Sequence, residues 1–355
     1  MRFRATTTIA TGIIALFAIA LVLTRAVVSD AHQNQTISYF SSDGANYFEL
    51  YTTFYHDLDL EDNLALFMIG SPILFMKFAN GELAIVQAMN LALMAWSLAV
   101  GMNCFKSGLG RRLFLAGSLL FPYFLFGFIS LNKEIYGMAS AIFLSSYMLR
   151  GKRCHLAVAL LLAACSRYYM LAAVVMVFVT IPRKGAPRFL LIILVLLGLT
   201  ILAPLTKEVI PGYSSDNLLE DSGGAGQVFA WVIDHYGYAI AYPAKYLALI
   251  PMRAYGFLQG SERSADGMEA VVSILTLCLL ALAAKAWCQR RQINSHVKRL
   301  ILAACIAPVP IMWTEIMHWR YYSFVYFLFL PAVILHFAEG APEAASERLR
   351  DGHAS

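Results

Sequence analysis

Charge is what this sequence is short of: Asp, Glu, Lys and Arg together make up 14% of its 355 residues, where a soluble domain carries roughly 25%. It is equally short of the marks of a soluble enzyme. No Gly-rich phosphate loop follows a strand pattern, no Cys/His spacing suits zinc, and no basic module suits nucleic acid. The six cysteines all fall in or beside apolar runs and none lies in a long polar loop, which argues against a structural disulfide. What fills the chain instead is apolar sequence, 59% of it.

The apolar residues come in runs, and a helix needs about 20 of them to cross roughly 30 Å of hydrocarbon. About ten segments qualify: 8–28, 83–104, 113–130, 135–149, 155–166, 168–181, 189–206, 269–288, 299–315 and 321–338. The expected fold is all-α, a polytopic transmembrane bundle with short re-entrant-like hairpins and interfacial helices on its outer face. One integral membrane domain, 1–338, precedes an Ala/Glu/Arg-rich tail, 339–355, expected to be disordered and cytoplasmic. The opening stretch "MRFRATTTIATGIIALFAIALVLTRAVVSD" reads as an uncleaved first span, since no small-x-small cleavage site is evident.

Orientation follows from the basic residues, which gather on the cytoplasmic side. With the N-terminus inside, the inner turns are "KSGLGRR", "RGKR", "PRKGAPR" and "QRRQINSHVKR", which together with Arg2, Arg4, Lys285, Arg348 and Arg350 hold 18 of the 27 Lys and Arg. The acids behave oppositely: only Glu339, Glu343, Glu347 and Asp351 fall inside, all in the tail. Both termini are then cytoplasmic, and the outer face carries the carboxylates.

Basic turns flank 155–181 on both sides, so this run must enter and return. Its arms of 12 and 14 residues reach only roughly 18–21 Å at 1.5 Å per residue. The tip, "CSRYYM", then sits below the outer surface. One long tilted helix through 155–181 is the rival arrangement and inverts everything downstream. A second charged stretch, "ISLNKEIYG" at 129–137, interrupts apolar sequence with Asn132, Lys133 and Glu134. Charges at such depth are tolerated when buried in protein or lining a wet cavity. Both tips therefore point to a pocket open to the outside.

The outer loops 29–82 and 207–268 contain semi-apolar stretches that read as interfacial helices. Asp43, in "SSDGANYFELY", lies on a sharp turn and suits a base that takes a proton from an acceptor hydroxyl, or an N-cap. Lys133 suits a phosphate ligand and Glu134 a base or ion partner; a local ion pair at a helix start is the plainer alternative. Arg167 suits a bidentate grip on a (pyro)phosphate, with Tyr168 and Tyr169 beside it, though arginine snorkelling within an aromatic belt has the same composition. Glu315, His318 and Arg320 repeat the theme before the last span: Arg320 as a second phosphate ligand, Glu315 or His318 as acid or base. Lys245 and Arg253 suit an anionic head group or membrane lipid. Asn34-Gln35-Thr36 matches a glycosylation sequon. No acid spacing requires a metal, so no cofactor is expected, although Asp43, Glu49 and other acids leave room for a divalent cation.

An outward-facing cavity with carboxylates for a hydroxyl proton and cations for phosphate suits sugar transfer from a polyprenyl-(pyro)phosphate donor. Nucleotide sugars are cytoplasmic, and no cytoplasmic domain is evident to bind one. The acid in the first outer loop, Asp43 after a single N-terminal span, resembles the GT-C-type membrane glycosyltransferases, which implies a base role for Asp43. The runs "FISLNKEIYGMASAIFL" and "ACSRYYMLAAVV", with a long late outer loop, look like bacterial O-antigen and exopolysaccharide polymerases. That likeness implies phosphate-binding roles for Arg167 and Arg320. The expected protein is thus a glycosyltransferase or polymerase of a bacterial inner membrane, with a glycan or other hydroxyl acceptor and a periplasmic active face. A transporter or flippase for a lipid-linked or anionic glycan is the competing class, because charged half-length helices also mark carrier sites. A non-catalytic subunit of a polysaccharide assembly complex is the third.

Overall fold

The computed structural model describes residues 51–52, 71–127, 131, 133–209, 231–232, 235–237, 240, 242, 264–289, 293–311 and 321–339. Their order is α1 (Leu83–Met102), α2 (Gly108–Leu119), α3 (Pro122–Phe126), α4 (Glu134–Arg150), α5 (Arg153–Ser166) and α6 (Tyr168–Thr180). Then come α7 (Ala186–Val209), α8 (Ser264–Cys288), α9 (Ser295–Ile306), α10 (Pro308–Ile311) and α11 (Tyr321–Ile334), the last running into a π-helical turn, Leu335–Glu339. A helical segment at 71–78 precedes α1. Among the described residues there is no strand, so the all-α expectation holds for them. Among the described residues three helices are long and apolar enough to cross a membrane, Leu83–Met102, Ala270–Cys288 and Tyr322–Glu339, which makes this a membrane protein by length and composition. The span expected at 8–28 lies outside the described residues.

The helix ends follow local chemistry. Ser107 caps α2 by accepting from the Gly110 N–H at 2.9 Å, and Asn294 caps α9 by accepting from His296 N–H at 2.9 Å. Helix α4 carries Glu134 in its first turn and Arg150 in its last, each sign suited to the helix dipole. It stops at Gly151, whose φ of 68° is the left-handed conformation that glycine adopts without strain.

Two spans expected to be continuous are broken. The run 113–130 divides between α2 and α3 at Pro122, and 299–315 divides at Pro308, with Pro310 close behind. Proline has no N–H to donate and crowds the preceding turn, so these runs are apolar enough to span but not regular enough. In α11, by contrast, the helix continues through Pro331.

Each break leaves a carbonyl to be satisfied, and a hydroxyl from elsewhere in the bundle takes it. Pro331 lacks the N–H that the Phe327 carbonyl would accept; Ser145 Oγ of α4 donates there at 3.2 Å. Gly117, in the last turn of α2, accepts from Tyr326 Oη at 2.7 Å. Cys305, in the last turn of α9, accepts from Tyr242 Oη at 2.8 Å. With no water available in hydrocarbon, such cross-bonding is what makes broken helices tolerable.

Helix α4 is the centre, packed against α1, α5, α9 and α11, and every residue from Glu134 to Ser146 is buried. Its small residues let neighbours approach. A Cβ on Gly137 would stand 3.1 Å from Ser166 Oγ of α5, and Ser140 Oγ donates to the Ala159 carbonyl at 2.7 Å. Helices α5 and α6 pack against each other as a hairpin, with Arg153 and Ile181 from their far ends lining one cavity. Their 14 and 13 residues span roughly 21 and 20 Å, well short of the hydrocarbon thickness. The described residues thus hold two antiparallel arms in place of one tilted helix.

The basic turns gather at one end of the bundle. Gly151, Arg153, Pro182 and Arg299 line a common cavity. Arg188 donates to the Thr180 and Ile181 carbonyls at 3.2 and 2.8 Å, closing the end of α6. Helix α1 runs parallel to α4, with Asn90 beside Tyr136 and Trp96 against Phe143, so its final turn comes to the same end. The turn after α1 is joined there by Glu339 Oε1, which accepts from Ser107 N–H at 2.8 Å.

Removing the Ser145 hydroxyl is expected to cost about 1–3 kcal/mol by stranding the Phe327 carbonyl. Thermal unfolding of Ser145→Ala in detergent checks this. The loss should shrink in a Pro331→Ala background, where residue 331 regains an N–H for that carbonyl.

Candidate functional site

At the end opposite the basic turns, two of the expected charges, Arg167 and Glu134, meet, and Lys133 adjoins them in the chain. Arg167 sits between α5 and α6 with extended backbone, φ −161° and ψ 149°. Its N–H closes α5 on the Ala163 carbonyl at 3.0 Å, and its own carbonyl accepts from Met170 N–H at 2.9 Å to open α6. One residue thus ends one helix and starts the next. Arg167 Nη2 meets Glu134 Oε1, in the first turn of α4, at 3.0 Å. The guanidinium also lies 5.7 Å from the ring centroid of Tyr169, within cation–π range.

Burial makes the arrangement consequential. Glu134 is 2% and Lys133 6% exposed, while the Arg167 side chain keeps 19%. Removing one member of a pair so enclosed would leave the other charge buried without it, which is costly. Lys133, next to Glu134 in the chain, and Arg167 are the basic residues of this cluster. They also stand at the N-caps of α4 and α6, and neither side chain caps its helix. The positive ends of two helix dipoles therefore converge where the cations are, an arrangement that favours an anion.

Polar and aromatic side chains gather at the same end of the bundle. Tyr136 Oη donates to Asn90 Oδ1 of α1 at 3.0 Å, and the Phe75 ring packs 5.4 Å from that of Tyr136. Ser71 Oγ donates to the Cys165 carbonyl one residue before the hairpin tip. Leu131 packs with Tyr51, Ile73, Met76 and Val86 in a small satellite core. The chain at Tyr51 and at 71–79, before α1, is therefore packed at this end. Ser166 Oγ is wholly buried against Gly137 and finds no hydrogen-bond partner among the described residues.

Of the residues singled out in the sequence, Lys133, Glu134, Arg167 and Tyr169 come together here. Only the backbone of Tyr168 is described. Asp43, Asn132, Lys245, Arg253, Glu315, His318 and Arg320 lie outside the described residues. Sequence reasoning passed over Gln87 and Asn90, both buried in α1. Their signal was legible: two amides three apart, hence on one helix face, inside an otherwise apolar span. Ser71, Tyr136 and Ser166 gave no comparable signal, since hydroxyls are common in membrane helices. Among the described residues no group of three His, Cys, Asp or Glu side chains is placed to hold a metal ion.

Comparison with family models, with curated proteins and with solved structures returns no match.

Truncating Arg167 to Ala leaves Glu134 buried without the guanidinium and should cost about 3–5 kcal/mol of stability. The double change Glu134→Gln with Arg167→Gln should recover a large part of that loss. Unfolding midpoints of the two single variants and the double variant measure the coupling.

Proposed function

We propose that the chain is a membrane glycosyltransferase or polysaccharide polymerase. It moves a sugar or glycan from a polyprenyl-(pyro)phosphate donor to a hydroxyl acceptor at the outer face of the membrane. The observation that carries this reading is the buried Lys133–Glu134–Arg167 cluster at the convergence of two helix N-termini, on the end away from the basic turns. Cations and helix dipoles aimed at one point suit a phosphate that gains charge as it departs.

In the proposed step the acceptor oxygen bonds to the anomeric carbon as the bond from that carbon to the donor phosphate breaks. The electron pair leaves with the polyprenyl (pyro)phosphate, and the hydroxyl proton passes to a carboxylate. Arg167 and Lys133 neutralise the leaving group, joined by Arg320. Glu134 holds the guanidinium by its Oε1, leaving proton abstraction to Asp43 with Glu315 as the second candidate. The isoprenoid tail lies among the helices, and Lys245 and Arg253 meet its head group. About ten spans, a bacterial inner membrane and cytoplasmic termini complete the proposal, resting on the distribution of Lys and Arg along the sequence.

The short hairpin favours one rival, a carrier for an anionic glycan lipid, because half-length helices with charged tips also build carrier sites. Isotope transfer from a polyprenyl-linked sugar by the purified protein separates the two. Asp43→Asn is expected to lower the rate by about 10²–10⁴-fold, with Glu134→Gln and Arg167→Ala also strongly impaired. Incorporation surviving all three substitutions removes the site, and movement of the glycan lipid across vesicles without transfer selects the carrier.

Topology has its own test. With the native cysteines replaced, Lys133→Cys and Arg167→Cys should react with membrane-impermeant thiol reagents applied from outside the cell. Reaction solely with reagents applied from the cytosol rejects the outward-facing pocket.

A further inference from the structure

The basic end of the bundle holds a cavity of about 260 Å³ between α4, α6 and α9. Its floor is apolar, built from Leu144, Val177, Phe178 and Ile181, and its rim carries Arg153 and Arg299 from two different helices. Both arginines are exposed, and among the described residues neither has a carboxylate partner. Among the described residues no acid lines the cavity. A lone arginine at a helix end needs only bulk lipid or water. Two, converging from separate helices on one concavity with a hydrocarbon floor, match an anionic head group with a chain attached. The volume is below the roughly 300–1,000 Å³ that encloses a drug-sized ligand, so it accommodates part of an amphiphile and leaves the rest in the bilayer.

We propose that this cavity is a binding site for an anionic membrane phospholipid, its phosphate between Arg153 and Arg299 and one acyl segment over Val177, Phe178 and Ile181. The occupant wedges between the far ends of α4 and α6, the two helices whose other ends carry Glu134 and adjoin Arg167. It therefore binds the packed form and raises its stability. The inference rests on the cavity alone and stands whether or not the proposed transferase activity does.

The test uses the full-length chain, delipidated in neutral detergent and titrated with phosphatidylglycerol or phosphatidylcholine. Native mass spectrometry reads occupancy and thermal unfolding reads stability. Phosphatidylglycerol should bind and raise the melting temperature by several degrees, while phosphatidylcholine at the same concentration should not. The Arg153→Gln, Arg299→Gln double variant should bind phosphatidylglycerol about tenfold or more weakly, whereas Arg112→Gln, an exposed arginine off the cavity, should match the unaltered protein. Equal affinity in the double variant, or an equal loss in Arg112→Gln, overturns the site. Inorganic phosphate that raises the melting temperature as much as the lipid also overturns it, in favour of a soluble anion. A further arm needs no variant: phosphatidylglycerol with a photoactivatable chain should crosslink within 177–182, and crosslinks confined to other helices reject the proposal.

Discussion

The contact between Arg167 and Glu134 joins two pieces of chain that share no continuous helix. One is the tip of a hairpin too short to cross the hydrocarbon, the other the first turn of a helix buried from Glu134 to Ser146. Either charge alone would be costly at that position, and together they are stable only while α4, α5 and α6 keep their spacing. The spacing in turn depends on Gly137, which admits the Ser166 side chain against its backbone. Packing and electrostatics thus specify each other: the close approach makes the ion pair possible, and the ion pair keeps a half-length hairpin from sliding.

The same economy of polar groups runs through the bundle. Three proline-broken or proline-interrupted helices release carbonyls, and Ser145, Tyr326 and Tyr242 reach across to accept the role of donor. The apolar lengths that look like simple spans are therefore cross-braced by hydroxyls placed where the ladder fails. Rigidity of this kind would suit the proposed transfer site, where a misplacement of about 1 Å would cost heavily.

Much of the fold was legible. Apolar runs bounded by charged turns gave α1, α4, α5, α6, α7 and α8 near their observed limits, because backbone groups in an apolar run bury most cheaply when bonded within a helix. The runs through Pro122 and Pro308 were misjudged as continuous for the same reason: composition says apolar, and the missing N–H at a single residue decides regularity. The site was half legible. Lys133, Glu134 and Arg167 were conspicuous as charges in apolar surroundings, whereas Asn90, Tyr136 and Ser166 earned their positions from neighbours on other helices.

The sequence by itself determined that this chain is helical, that it belongs in a membrane, and that certain charges interrupt its apolar runs, because each of these is a property of composition along one strand of chain. Only the tertiary structure decided that Arg167 meets Glu134, that two helix N-termini converge beside them, and that Arg153 and Arg299 share a cavity. Those are relations between residues tens to more than a hundred positions apart. Small-residue packing and the approach of one helix face to another create them, and neither is written in local hydropathy.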